Sequence, residues 1–324
     1  ESTVRKARVT GEDSYIPLAG AAHLVLPSDE DVLEAGRALH DLMIKYPELT
    51  VFGEDVAQKG GVYTVTSGLA RTFRGNRVFN TLLDETTILG MAQGAAYMCL
   101  LPFPEIQYLA YFHNDNSITA LRDIPGLVLA CPSRGDDAAM MLRTCAALAQ
   151  VEGKVVGFLE PIALYMTKDL HEPKDGGWLF DYPVPTRSVP LGEPRLYAPD
   201  AADALIVTYG NGVLMALRAA RRLREETGHR VCVMDLRWLK PLNATAIAAE
   251  ANRCGRVLVV DEGRRTGGIA EEIFTALDEH AESTVRKARV TGEDSYIPLA
   301  GAAHLVLPSD EDVLEAGRAL LADG

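Results

Sequence analysis

The sequence predicts an α/β protein built from two parallel-sheet domains. Apolar runs of strand length alternate with helical patterns across residues 49–161, and the same alternation returns across 204–263. Strands separated by helices of this length imply right-handed βαβ units and a parallel sheet. Between the two series, residues 168–200 are rich in proline, glycine and charge, which marks a linker. The divisions expected are therefore 1–39, 40–167, 168–200 and 201–324.

Residues 1–39 recur without a single change at 282–320. Each copy reads as a loop, a short strand near 22–26, and a helix with Ser28 as N-cap and Asp31 three residues on. In the first copy the helix continues through Ala38, Leu39, Leu42 and Met43 to Tyr46, before Pro47. Repeats that build solenoids diverge and come in at least three copies. An identical pair points instead to a recent duplication or a misassembly. One slot holds one copy, so one of the two is expected to be peripheral.

Residues 49–55 read as a buried strand ending in Gly53, Glu54 and Asp55, and 59–74 as a loop entering a helix near 69–73. A strand over 78–83 then stops at Asp84 and Glu85. A helix follows over 86–100, with Gly90, Gly94 and Ala95 on one side. Pro102 and Pro104 break it, and an extended run over 105–112 carries Gln107, Tyr108 and Tyr111 to His113. Sites in α/β proteins form beyond the carboxyl ends of strands, where this stretch delivers carboxylates, tyrosines and a histidine.

An acidic residue in a first helical turn is usually there for the helix dipole. Leu82, Leu83, Ile88 and Leu89 surround Glu85 in sequence, so desolvation would push its pKa up while the helix terminus pulls it down. A carboxylate between those pulls suits proton relay. The pair Gly90 and Gly94 marks close helix packing.

A helix near 118–122, a strand at 127–132, a helix at 135–149 and a strand at 155–161 complete the first series. The second comprises strands at 204–210, 230–237 and 256–263, helices at 212–226 and 243–252, and a helix opened by Gly267, Gly268 and Ile269. Asp261 and Glu262 are expected in a solvated or interface loop.

Composition excludes several classes. With 32 Lys and Arg against 45 Asp and Glu the net charge is −13, which disfavours nucleic-acid binding. No apolar run approaches the roughly 18 residues of a membrane span. Five scattered cysteines without a CxxC pair argue against disulfides or zinc and for a reducing compartment. The start at Glu1, without Met or secretory signal, suggests a fragment or processed piece. GxGxxG, GxxxxGK[ST], HExxH and GxSxG are all absent.

The run VFNTLLDETTILGMAQGAA, followed by PEIQYLAY, FHNDNS, DIPGL, FLEPIALY and TYGNG…VMDLRWLKPLN…VLVVDEG, resembles the beta subunit of thiamine-diphosphate-dependent 2-oxoacid dehydrogenases, first component. The resemblance extends from about Leu39 to the C-terminus. It implies a transketolase-like pyrimidine-binding domain and a transketolase C-terminal domain. It further implies thiamine diphosphate shared with an alpha subunit that holds the diphosphate and Mg²⁺. Glu85 resembles the carboxylate that protonates the aminopyrimidine ring. Leu83, Gln107 and Tyr111 match pocket positions, and His113 the histidine serving transfer to lipoyl. The reaction implied is oxidative decarboxylation of a 2-oxoacid, with EIQ and FLEP favouring the branched-chain type over pyruvate. Implied partners are the alpha subunit, the dihydrolipoyl acyltransferase core and a second copy, in the cytoplasm or, alternatively, the mitochondrial matrix. No membrane or nucleic-acid partner is expected.

Two departures qualify this. No GDG motif occurs, so the chain cannot hold the whole cofactor alone. At 112–114 a helix and core strand of the family are skipped, and His113 stands where two histidines would be. Losing a core strand removes packing worth many kcal/mol against a total stability of about 5–15. A non-catalytic chain that acts only through its C-terminal binding domain is the alternative function.

Overall fold

The computed structural model describes residues 29–61, 64–73, 76–106, 118–165, 167–298 and 300–322. In chain order its elements are α1 (Asp29–Lys45), β1 (Leu49–Gly53), α2 (Leu69–Thr72), β2 (Val78–Asn80), α3 (Glu85–Tyr97) and β3 (Leu101–Glu105). There follow α4 (Thr119–Asp123), β4 (Val128–Ala130), α5 (Gly135–Glu152), β5 (Val156–Phe158), β6 (Arg195–Tyr197), β7 (Ala204–Thr208) and α6 (Gly212–Thr227). The last are β8 (Val231–Asp235), β9 (Trp238–Lys240), α7 (Ala244–Cys254), β10 (Arg256–Arg264), α8 (Ile269–His280), β11 (Arg286–Gly292) and α9 (Asp310–Ala322). Among the described residues no helix is long and apolar enough to cross a membrane.

The chain divides into two units. The first takes Glu1–Tyr111, Gly135–Lys154 and Phe180–Val189; the second takes Phe112–Arg134, Val155–Leu179 and Pro190–Gly324. In the first, β2-β1-β3 form a parallel sheet. Leu42 and Met43 of α1, Leu49, Val51, Val78, Leu101 and Ala146 of α5 close its core. Arg77 donates to the carbonyls of Met43, Tyr46 and Leu49, tying the C-terminal end of α1 to β1. Arg143 donates to the carbonyls of Pro183, Val184 and Arg187, which draws the segment Phe180–Val189 onto α5. Part of the expected linker is thus fastened to the first unit.

The sequence places Pro102 and Pro104 before an extended run, whereas both lie inside β3. Leu101 N–H donates to Glu48 O, so the N–H groups at 101, 103 and 105 face β1. Positions 102 and 104 then face away, where a missing N–H breaks no ladder bond. Proline is tolerated on such an outer strand.

In the second unit the sheet order is β11-β10-β7-β8-β6, all parallel except β6 against β8. Side chains alternate across it. Ala204 and Ile206 face a cluster with Leu223 of α6 and Val313 and Leu314 of α9. Leu205 and Val207 face one with Ile247 of α7 and Ile273 of α8. Both faces are covered, which is why β7 and β8 are buried at every residue.

A single parallel sheet is expected from the alternation over 49–161, yet its strands fall into two. β4 pairs with β5 in parallel and with β9 antiparallel, within the second unit. β4 thus has β5 on one side and β9 on the other.

The two copies of the repeat bury different faces of one helical sequence. In α1, Ala38 is buried and Leu39 half-buried; in α9, the equivalent Ala319 is exposed and Leu320 buried. Gly36 and Gly317 are also equivalent. A methyl on Gly36 would lie 2.6 Å from the Val65 backbone oxygen, whereas one on Gly317 would meet a Leu223 methyl at 2.8 Å. A side-chain end can rotate aside and a backbone carbonyl cannot. Gly36→Ala is therefore expected to cost about 1–3 kcal/mol. Gly317→Ala should lose under about 1 kcal/mol, since the helix-propensity gain offsets the crowding. Denaturation of the two single variants side by side checks the order.

Residues 169–177 form a loop closed by two aspartates. Asp175 accepts the N–H groups of Leu170, His171, Glu172 and Gly177, and Asp169 those of Lys174 and Gly176. Those backbone donors hold the Asp175 carboxyl well below the usual carboxylate range. A depressed pKa contributes stability above the unfolded value, near 3.9, and loses it as pH falls through the folded one. The four amides are expected to stay protected from hydrogen exchange at neutral pH and to lose protection only in strong acid. In Asp175→Ala they should exchange freely at pH 7.

Candidate active site and family

The sequence carries the strand over 78–83, but pairing in the structure ends one residue past β2. Thr81 N–H donates to Gly53 O at 2.8 Å, and Asn80 Oδ1 accepts the Ala57 N–H at 2.8 Å. The chain then turns into α3, capped by Asp84, whose carboxylate accepts the Thr87 N–H at 3.2 Å and the Thr87 hydroxyl. The hydroxyl bond first, and the backbone bonds after it, hold the Asp84 carboxyl below its ordinary value. Asp84 is thus a fixed anion at neutral pH. Glu85 follows at the first helical position, half-buried, where the helix terminus favours negative charge.

The expected apolar wall around Glu85 is only partly closed. Ile88 is 2% exposed, but Leu82 is 76% exposed and Leu83 and Leu89 are also open to solvent. The apolar surface continues along α3 and its end to Tyr97, 78% exposed, and Met98, 77% exposed. Methyl groups on Gly90 or Gly94 would meet nothing within 4 Å, so the small face of the helix packs against nothing among the described residues. Sequence pattern shows that residues are apolar and not what covers them.

Two further carboxylates stand at the same ends of the sheet. A methyl on Gly53 would lie 2.5 Å from Glu105 O, and one on Gly61, at φ +78°, 3.0 Å from Glu105 Oε1. Glycine at both positions lets the β1 end and its following loop close on Glu105. Glu54 is half-buried just beyond β1. Neither Glu54 nor Glu105 was singled out from sequence as a site residue. Their signal was position at a strand's carboxyl end. Gln107, Tyr111 and His113 lie outside the described residues. Among the described residues no group of three or more His, Cys, Asp or Glu side chains could hold a metal ion.

Asp261, expected in a solvated loop, is fully buried. It accepts the Tyr209 hydroxyl at 2.8 Å, the Gly263 N–H at 2.9 Å and the Ala270 N–H at 3.0 Å. From within β10 it therefore caps α8 and ties in Tyr209, the residue that follows β7. Burial, with the Asp261 charge next, pushes the Tyr209 phenol well above its ordinary pKa. Asp261 is structural.

Comparison with known proteins gives the geometry its context. The transketolase pyrimidine binding domain family matches residues 34–120, and the transketolase C-terminal domain family residues 196–313. A Mycobacterium tuberculosis 3-methyl-2-oxobutanoate dehydrogenase subunit beta is 30% identical over 349 positions, covering 94% of this chain and 95% of the relative. A Staphylococcus epidermidis pyruvate dehydrogenase E1 component subunit beta is 28% identical over 327 positions, covering 88% and 96%. Both alignments are longer than the chain's 324 residues, so they include positions this chain lacks. Among solved structures, a split-gene transketolase described as an inactive beta4 tetramer superposes with TM-score 0.69 at 18% identity, covering 90% of this chain and 98% of that one. A 2-oxoglutarate:ferredoxin oxidoreductase from Magnetococcus marinus shares the fold at TM-score 0.57 and 11% identity, covering 90% of this chain and 64% of that one. With its α/β sheets, its carboxylates at strand ends and these relatives, the chain belongs to the family of 2-oxoacid dehydrogenase E1 beta subunits, built on transketolase-type pyrimidine-binding and C-terminal domains.

Proposed function

We propose that this chain is the beta half of a 2-oxoacid dehydrogenase first component, with Glu85 as the proton relay to thiamine diphosphate shared with an alpha subunit. The observation that carries this is the setting of Glu85. It is a half-buried carboxylate at the first position of α3, separated from the end of β2 by residues 81–84 and close in sequence to the open apolar residues Leu82 and Leu83. An aminopyrimidine is a flat ring with a basic nitrogen, and a carboxylic acid flanked by apolar surface suits it. Thiamine diphosphate, when bound, supplies the carbanion chemistry that decarboxylates a 2-oxoacid. Glu85 gives and takes the ring-nitrogen proton. By the family resemblance, Leu83, Gln107 and Tyr111 would line the ring's pocket, and His113 would serve acyl transfer to lipoyl. The absence of a GDG motif supports leaving the diphosphate and Mg²⁺ to the alpha subunit. The exposed apolar stripe from Leu82 to Met98 is of the kind that partners cover, and an alpha subunit or a second copy would cover it. The C-terminal domain would dock the dihydrolipoyl acyltransferase core, in a cytoplasm or a mitochondrial matrix.

The substrate class favoured is branched-chain over pyruvate, from EIQ at 105–107 and FLEP at 158–161. A second reading is supported by the divided sheet: the chain is non-catalytic and binds the core through its intact C-terminal unit. One experiment separates them. With alpha subunit, thiamine diphosphate and Mg²⁺ added, CO₂ release from 3-methyl-2-oxobutanoate should exceed that from pyruvate in kcat/KM. A preference for pyruvate overturns the substrate class. Core binding with no release from either supports the second reading.

A further inference from the structure

The same 39 residues stand at both ends of the chain, and the C-terminal copy is a docked element. β11 runs parallel along β10 from the pair Arg256 and Arg286 to the pair Asp261 and Thr291. Among the described residues it is the outermost strand of its sheet, held by one ladder. Ala288 and Val290 pack on the cluster that buries Val313, Leu314 and Leu320. Residues 5–11 repeat the sequence of β11 without a change, with Ala7 and Val9 in place of Ala288 and Val290.

We propose that the β10 edge is an exchangeable strand-docking site, filled either by β11 of its own chain or by residues 5–11 of a second copy. A strand added to a sheet edge is held by main-chain hydrogen bonds and by pockets for alternate side chains. Identical residues in the same register make the same ladder and fill the same pockets, so tethering alone decides between the two segments. The resident strand has the higher effective concentration. Exchange therefore grows as chains are concentrated or as the resident strand is weakened. The helical part of the first copy is committed elsewhere, since Ala38 is buried in the first unit while the equivalent Ala319 is exposed in α9. Exchange thus concerns the strand and leaves α1 in place. Swapping an identical element between protomers is a low-cost route to dimers.

The test mixes two full-length chains, both carrying Cys99→Ser to remove the exposed thiol. The donor also carries Arg5→Cys, and the acceptor Arg256→Cys. Arg256 faces Arg286 in the ladder, so an exchanged strand places the two new thiols opposite each other. Under oxidising conditions a disulfide-linked two-chain product is expected. Its yield should rise roughly tenfold when the acceptor carries Val290→Asp, because an aspartate on that apolar face weakens the resident strand. It should vanish when the donor carries Val9→Asp. A Val290→Thr acceptor gives the same direction with less disturbance of folding. No linked product with either acceptor, or a yield indifferent to Val9→Asp, overturns the proposal.

Discussion

Glu85→Gln is expected to lower decarboxylation by the reconstituted enzyme about 10²–10⁴-fold, the usual worth of a positioned general acid or base. Glutamine keeps the shape and a hydrogen bond but cannot hand over a proton. The factor corresponds to roughly 3–5 kcal/mol on the barrier. Assembly should survive, because α3 is capped by Asp84 and Thr87 and anchored by Ile88, none of which is touched. Rate and alpha-subunit binding measured on one preparation check both halves. A variant as active as the parent removes Glu85 from the mechanism.

Asp261→Ala is expected to cost about 3–5 kcal/mol of stability, a large share of what a domain has. The substitution leaves three donors without their acceptor in a closed interior: the Tyr209 hydroxyl and the N–H groups of Gly263 and Ala270. It also uncaps α8. Asp261→Asn retains an acceptor oxygen for some of these donors and should lose less. Urea denaturation of the three proteins gives the comparison, and an Asp261→Ala variant as stable as the parent would contradict the capping role.

Long periodic segments were legible in the sequence. The helix read over 135–149 is α5, Gly135–Glu152, and the apolar run at 204–210 contains β7. Features set by distant partners were not. Asp261 looked like a loop residue because Tyr209 and Ala270, which bury it, are 52 and 9 positions away. β9, three residues long, declares itself only by pairing with β4. The prolines of β3 read as breakers because the pattern cannot show which N–H groups face a neighbour. For the site, Glu85 stood out because a strand runs straight into a helix start there. The openness of Leu82 and Leu83 did not, since apolar character is the same whether this chain or another covers it.

On the proposed function, the first unit is a folded half-site that waits for its partner. Hydrogen exchange over residues 49–105, compared with 204–264, tests it in the isolated chain and again with alpha subunit, thiamine diphosphate and Mg²⁺. The expected result is protection of β1 and β7 alike in isolation, with residues 82–98 gaining protection only when partner and cofactor are present. Free exchange at β1, or an α3 indifferent to a bound alpha subunit, would contradict it and leave the chain as a C-terminal binding domain.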